Sequence, residues 1–246
     1  MENSLTKSKG LNGNIIKYIA IVAMLIDHIA WTFVPFGSVL GQFMHIIGRI
    51  TAPTMCYFIA EGYYHTRNVK KYAIRLGIFA LISHCPFILF ECGKPFVFEL
   101  RTSVIYSLFL GLIALWIWDK VQNETLKVIS IVCICVLAMP GDWMCCAILW
   151  VLAYGANRGN FKKQVLWFSV VSIGMVLFMC ISNVIFTNGQ KPFYSQLFQL
   201  GVFLSLPFIS LYNGQRGKSG KFNKWLFYIF YPAHLLIIGI IAILIK

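Results

Sequence analysis

The chain has 246 residues, of which 59% are hydrophobic and only 12% charged, with a formal net charge of +13. A soluble domain carries about a quarter charged residues, so this composition excludes an ordinary soluble enzyme. An outer-membrane barrel is excluded too, because the apolar runs are continuous over about 20 residues and do not alternate in polarity.

In chain order, nine helices are expected, at 15–35, 39–64, 72–90, 102–118, 126–139, 143–157, 164–186, 195–212 and 225–245. The first run reads as a span and not a cleavable signal peptide, since it holds Asp27-His28 where small residues would mark cleavage. The fifth and sixth are short for a span and are expected to tilt or to pack inside the bundle. With a cytoplasmic N-terminus, the inner segments collect sixteen basic residues, among them Lys7, Lys9, Lys17, Arg67, Arg75, Arg158 and Arg216. The outer segments hold four: Lys94, Arg101, Lys191 and Lys246. This asymmetry puts the N-terminus inside. The fold class is therefore all-α, a polytopic membrane bundle of about nine transmembrane helices forming one domain over residues 1–246.

The basic residues lie scattered in short loops and form no compact domain, so their partner is the lipid bilayer and not nucleic acid. Gly93-Lys94-Pro95-Phe96 and Gly189-Gln190-Lys191-Pro192-Phe193 recur four helices apart, too short a match to define a repeat. The eight cysteines form no C-x-x-C pair and read as small packing residues; no metal site is expected.

The informative residues are ionisable ones inside the spans. A charge at the bilayer centre costs about 2.5–3.5 kcal/mol on insertion scales, so such residues face the bundle interior and partner one another. A rise of 1.5 Å per residue places Asp27, His28, Arg49, His84 and His234 at similar depth on four helices. An interhelical Asp27–Arg49 staple would account for two of them, but buried ion pairs stabilise poorly compared with apolar packing, so stability alone explains five badly. Asp27 and His28 stand about 100° apart around their helix. Asp27 is therefore expected to meet Arg49, or a histidine from the third or ninth helix, and not to orient His28. A second tier, Lys17, Glu61, His65, Arg67 and Arg75, lies toward the cytoplasmic face, with Glu61 expected to pair with Arg75 or Arg67. Lys17 and His28 are eleven positions apart, about 16 Å along one helix face. A ligand touching both would be long, with an anionic end at the cytoplasmic surface.

Several stretches together resemble the TraX family. They are Lys17-x-Ile-Ala-x-x-x-Met24-Leu25-Ile26-Asp27-His28-Ile29, Ile47-Gly48-Arg49-Ile50-x-x-Pro53 and Glu61-Gly62-x-x-His65-Thr66-Arg67-Asn68, with Arg75-Leu76 following. Further along come Leu211-Tyr212-Asn213-Gly214-x-Arg216-Gly217 and Phe227-Tyr228-x-Phe230-Tyr231-Pro232-x-His234-Leu235. The resemblance runs from about residue 11 to the C-terminus. It implies a transmembrane acyltransferase of the bacterial cytoplasmic (inner) membrane, acetylating an amine such as a pilin or peptide N-terminus from cytoplasmic acetyl-CoA. It also implies a basic residue, ten intervening positions and a catalytic His, which Lys17 and His28 fit. His28 is then catalytic base or acyl acceptor, and Lys17 meets the phosphates of acyl-CoA. Asp27, Arg49, His84 and His234 join the catalytic set by depth, with Arg49 the donor to the thioester oxygen. Arg75, Arg67 and Arg216 join Lys17 as cofactor-binding candidates. Two other readings stay open: a non-catalytic assembly factor of a conjugation system, and a proton-coupled transporter using Asp27, His84 and His234.

Overall fold

The computed structural model describes residues 10–94, 100–188, 190, 192–217 and 221–245, without the side chains of 221–224. Lys7, Lys9, Lys191, Lys218 and Lys246 of the charge asymmetry, and Pro95, Phe96 and Gly189 of the recurring motif, lie outside the described residues. Among the described residues the fold is all-helical: α1 (Gly13–Phe33), α2 (Val39–Gly48), α3 (Thr51–His65), α4 (Val69–Cys92), α5 (Val104–Lys120), α6 (Glu124–Leu137), α7 (Met144–Ala156), α8 (Phe161–Phe186), a 3-10 helix (Phe193–Leu204), α9 (Ser205–Ser210) and α10 (Lys221–Ile245). Polar side chains start several of them. Asn12, Ser38, Asn68, Asn123 and Asn160 each accept a hydrogen bond from the backbone N–H three residues on, satisfying a donor the helix leaves free.

Two expected helices need correction. The second, 39–64, is two helices that break at Arg49-Ile50. In one continuous helix the ring of Pro53 would press on the carbonyl of Arg49; restarting at Thr51 puts Pro53 in a first turn, where its missing N–H is harmless. The eighth, 195–212, is a 3-10 helix for most of its length. At about 2.0 Å per residue that form stretches the eighteen residues of Phe193–Ser210 to roughly 33 Å, enough for a bilayer core of about 30 Å.

Among the described residues, five helical segments are long and apolar enough to cross a membrane, α1, α4, α8, Phe193–Ser210 and Trp225–Ile245, with α7 apolar but shorter. The chain is a multi-pass membrane protein. Helices α3, α5 and α7 form its packed centre, where Leu112, Leu115, Ile148, Trp150 and Tyr154 are fully buried. By contrast α8 exposes Leu166, Val170, Ile173 and Leu177 as a lipid-facing stripe.

Cross-connections separate the two ends of the bundle. At one end Leu11 pairs with Tyr212, Tyr64 Oη donates to the Gly155 carbonyl at 2.9 Å, and Arg158 Nε donates to Glu61 at 3.0 Å. That ion pair corrects the expectation that Glu61 meets Arg75 or Arg67. At the other end Thr102 pairs with Gly141, Tyr106 Oη donates to the Leu137 carbonyl at 2.9 Å, and Asn183 Nδ2 donates to Ser195 at 3.1 Å. Helices α1, α4 and α10 all run from the first end toward the second.

Candidate functional site

Where α1, α2, α4 and α10 meet, the buried ionisable residues form two hydrogen-bonded groups. In the first, Asp27 is the hub. Its Oδ1 accepts from His45 Nδ1 at 2.8 Å, and its Oδ2 is ion-paired with Arg49. Arg49 Nη1 also reaches Gln199 Oε1 on the 3-10 helix at 3.4 Å. Rings enclose this network: Trp31 lies 4.4 Å from His45, and the Arg49 guanidinium sits 5.0 Å from the Trp143 ring centroid. The break after α2 exists at the residue that needs it, since Arg49 is the C-cap of α2. Among the described residues its buried Nε has no partner, nor has Nε2 of His45.

Gly48 makes the Asp27 group possible. A Cβ there would run into the Cβ and carboxyl of Asp27. Asp27 cannot give way, because two partners hold it. Gly48→Ala is therefore expected to cost about 1–3 kcal/mol by overpacking. A lowered midpoint of thermal unfolding in detergent checks this; an unchanged midpoint would mean that α1 and α2 separate freely.

The second group is a histidine pair. His28 Nδ1 and His234 Nε2 are 2.7 Å apart, and His234 Nδ1 lies 2.7 Å from the Phe230 carbonyl oxygen. A carbonyl only accepts, so Nδ1 of His234 carries a proton and donates it there. In a neutral ring, Nε2 of His234 is then the acceptor, and Nδ1–H of His28 donates to it. The remaining nitrogen, Nε2 of His28, keeps its lone pair. A fixed tautomer with one basic nitrogen is what a general base or a nucleophile requires.

Asp27, Arg49 and Gln199 of the first group and His28 of the second line one cavity of about 410 Å³. Toward the Lys17 end it reaches Ile21, Met24 and Phe227; in the middle it meets Asp27, His28 and Arg49; at the far end lie Glu91, Arg101 and Asp142. Below its floor, Lys17 Nζ sits 4.7 Å from the Phe58 ring centroid and 5.4 Å from that of Phe227. Arg216 stands within electrostatic range of Lys17, on a loop whose carbonyl accepts from Asn14 N at 3.1 Å.

Four of the five residues expected at mid-depth, Asp27, His28, Arg49 and His234, thus come together. His84 does not. It is half-buried on α4, does not line the cavity, and has no hydrogen-bond partner among the described residues. Of the cofactor candidates, Lys17 and Arg216 are neighbours. Arg75 Nε instead donates to Tyr228 Oη at 3.0 Å between α4 and α10, and Arg67 is exposed in the turn between α3 and α4. The sequence reading missed His45, although it stands one turn before Arg49 on the same helix face. It missed Gln199, Glu91 and Asp142 as well. Nothing in their spacing pointed to them.

A family model described as "TraX protein" matches residues 12–242. The chain is 31% identical over 228 residues to a protein named "Probable fimbrial assembly protein FimC, serogroup H1" of Dichelobacter nodosus, covering 89% of this chain and 91% of that one. It is 27% identical over 131 residues to "Uncharacterized protein RP591" of Rickettsia prowazekii (strain Madrid E), covering 47% and 51%. No solved structure matches.

Proposed function

The chain belongs to the TraX family, and from that premise we propose that it is a membrane-embedded acyltransferase that moves an acetyl group from acetyl-CoA to an amine. One observation carries this reading. The relay from the Phe230 carbonyl through His234 leaves a single basic nitrogen on His28, a residue that lines a cavity about three turns of helix above Lys17.

The chemistry follows from the residues. The amine nitrogen attacks the thioester carbonyl carbon, its proton passes to Nε2 of His28, the C–S bond breaks, and the thiolate leaves. Negative charge grows on the thioester oxygen, and Arg49, a cation on the cavity wall, is the donor suited to it. Asp27 holds Arg49 and acts on the reaction only through it. The same lone pair on His28 also supports a covalent route, in which the acyl group rests on Nε2 before the amine takes it. Rapid-quench mass spectrometry of the intact protein separates the two. The charge asymmetry of the loops supports placing the Lys17 end in the cytoplasm, where Lys17 and Arg216 would meet the phosphates of acetyl-CoA.

Acetyl-CoA is expected to raise the unfolding temperature of the purified protein more than desulfo-CoA does. Lys17→Ala with Arg216→Ala should raise the KM for acetyl-CoA on the order of tenfold, about 1.4 kcal/mol, with kcat little changed. Absence of any acetyl-CoA stabilisation in the wild type would overturn the reading. The name of the Dichelobacter relative favours the rival reading, a fimbrial assembly factor without catalysis; such a protein would tolerate loss of His28.

A further inference from the structure

A second cavity, of about 630 Å³, opens at the Lys17 end of the bundle, and no step of the transfer uses it. It lies where α3, the C-terminal end of α7 and the loop after α9 meet, among Tyr57, Glu61, Tyr64, Arg158 and Tyr212. Its size falls within the range of small-molecule sites, about 300–1,000 Å³.

Its wall offers unused hydrogen-bonding groups. Tyr57 is only 9% exposed, yet its hydroxyl has no hydrogen-bond partner among the described residues. That hydroxyl lies within electrostatic range of Glu61 and Arg158. Glu61 stands one turn further along the same face of α3, and its Oε1 accepts from Arg158 Nε at 3.0 Å. Its Oε2 accepts no hydrogen bond among the described residues: His65 Nδ1 stands 3.7 Å from it and 2.9 Å from the Glu61 carbonyl oxygen, to which it donates. A donor and an acceptor thus stand side by side. Adenine presents their complement, an amino donor beside a ring-nitrogen acceptor. Guanine and hypoxanthine put a carbonyl oxygen where adenine has the amino group, and the Glu61 carboxylate would repel it. Tyr64 and Tyr212 add aromatic surface against which a flat base packs, and the Arg158 guanidinium lies 4.9 Å from the Tyr64 ring centroid.

The cavity is also placed to share a ligand with the first one. Lys17 Nζ lies over both Phe58 and Phe227. Phe227 lines the cavity that holds His28, and Phe58 packs at 5.4 Å against Tyr212, which lines the second. One loop joins the parts, since Tyr212 and Gly214 border the second cavity and Arg216 stands beside Lys17. Two cations therefore lie between the two cavities.

We propose that the second cavity binds an adenine nucleotide, with the edge of the base on Tyr57 and Glu61 and the phosphate directed to Lys17 and Arg216. Its role as the site for the far end of acetyl-CoA rests on the acyl-transfer reading, whereas the nucleotide binding does not. The donor then spans both cavities, its thioester at His28, its phosphates at the cations between them and its adenine beside Tyr57. A donor ending at the phosphopantetheine would lose this anchorage, so the cavity selects acyl-CoA over acyl-phosphopantetheine.

The test uses the purified full-length protein in detergent near neutral pH, without acetyl-CoA. The probes are adenosine monophosphate (AMP) and inosine monophosphate (IMP). They carry the same charge and differ at the one edge in question, so Lys17 and Arg216 serve both equally. Titrations followed by saturation-transfer NMR give the two affinities. AMP should bind at least about tenfold more tightly than IMP. Glu61→Gln, whose amide can donate to a carbonyl oxygen, should remove most of that preference. Ala156→Trp, at an exposed position on the cavity wall, should weaken AMP binding at least about tenfold by filling the space. Equal binding of the two nucleotides by the wild type overturns the proposal. So does an unchanged preference in Glu61→Gln together with unchanged AMP affinity in Ala156→Trp. The wild-type comparison needs no variant to fold. AMP preference without acetyl-CoA stabilisation would leave the nucleotide site standing and remove the transfer reading. Acetyl-CoA stabilisation without AMP preference would do the reverse.

Discussion

His28→Ala is expected to abolish acetyl transfer from acetyl-CoA while the bundle stays folded. The variant loses one hydrogen bond, from Nδ1 to His234, worth about 1 kcal/mol in stability. Its other ring nitrogen has no hydrogen-bond partner among the described residues to leave stranded. On the acyl-transfer reading it loses the group assigned to take the amine's proton, and general bases contribute about 10²- to 10⁴-fold. If His28 carries the acyl group, the loss is complete. His234→Phe separates the two histidines. It keeps a ring of similar size but removes the acceptor for Nδ1–H of His28, so the tautomer is no longer held. His234 is a positioning residue on this account. Its variant should retain some activity, falling by one to two powers of ten, with an altered pH profile of kcat. A radiolabelled acetyl-transfer assay on protein of verified monodispersity reads both. Normal turnover by His28→Ala would end the mechanism and leave the assembly-factor reading in its place.

Depth and orientation around a helix were unequally legible in the sequence. Depth follows from a fixed rise per residue and from the cost of charge in lipid, and for that reason Asp27, His28, Arg49 and His234 could be gathered in advance. Which face a residue occupies needs an asymmetry, and the stretch of α4 around His84, from Leu76 to Phe90, is apolar on nearly every face. His84 therefore has the right depth and still misses the cavity. His45 is hidden for a different reason: pairing Asp27 with Arg49 satisfies the charge, and nothing in the spacing shows that the carboxylate has room for both. The break at Arg49 is written in Pro53, five residues beyond Gly48, but apolar length masks it. Glu61 to Arg158 joins positions far apart in the chain, and the far end of the first cavity, at Asp142, is set by backbone pairing between loops. Neither contact has a local signature.

The second large effect concerns stability. Asp27→Ala is expected to destabilise the protein by about 3–5 kcal/mol, because it strands a guanidinium in a site closed by Trp143 and Phe198. It also leaves the His45 Nδ1 donor without its acceptor in a fully buried ring. Arg49→Met alone removes the cation and leaves Asp27 with only His45, again a buried and underpaired charge. The Asp27→Ala/Arg49→Met double variant removes both charges together. Since the ion pair is a poor stabiliser beside apolar packing, the double variant should be no worse than the Asp27→Ala single variant. The gap between it and the sum of the singles should be on the order of 2 kcal/mol or more. Thermal unfolding in one detergent across the four proteins measures that gap. Additive losses would mean that Asp27 and Arg49 act independently, and Arg49 would then lose its claim to be held in place for the thioester oxygen. A pair kept at such cost, when apolar residues would hold the helices as well, is most simply explained by the need for an immobile cation beside His28.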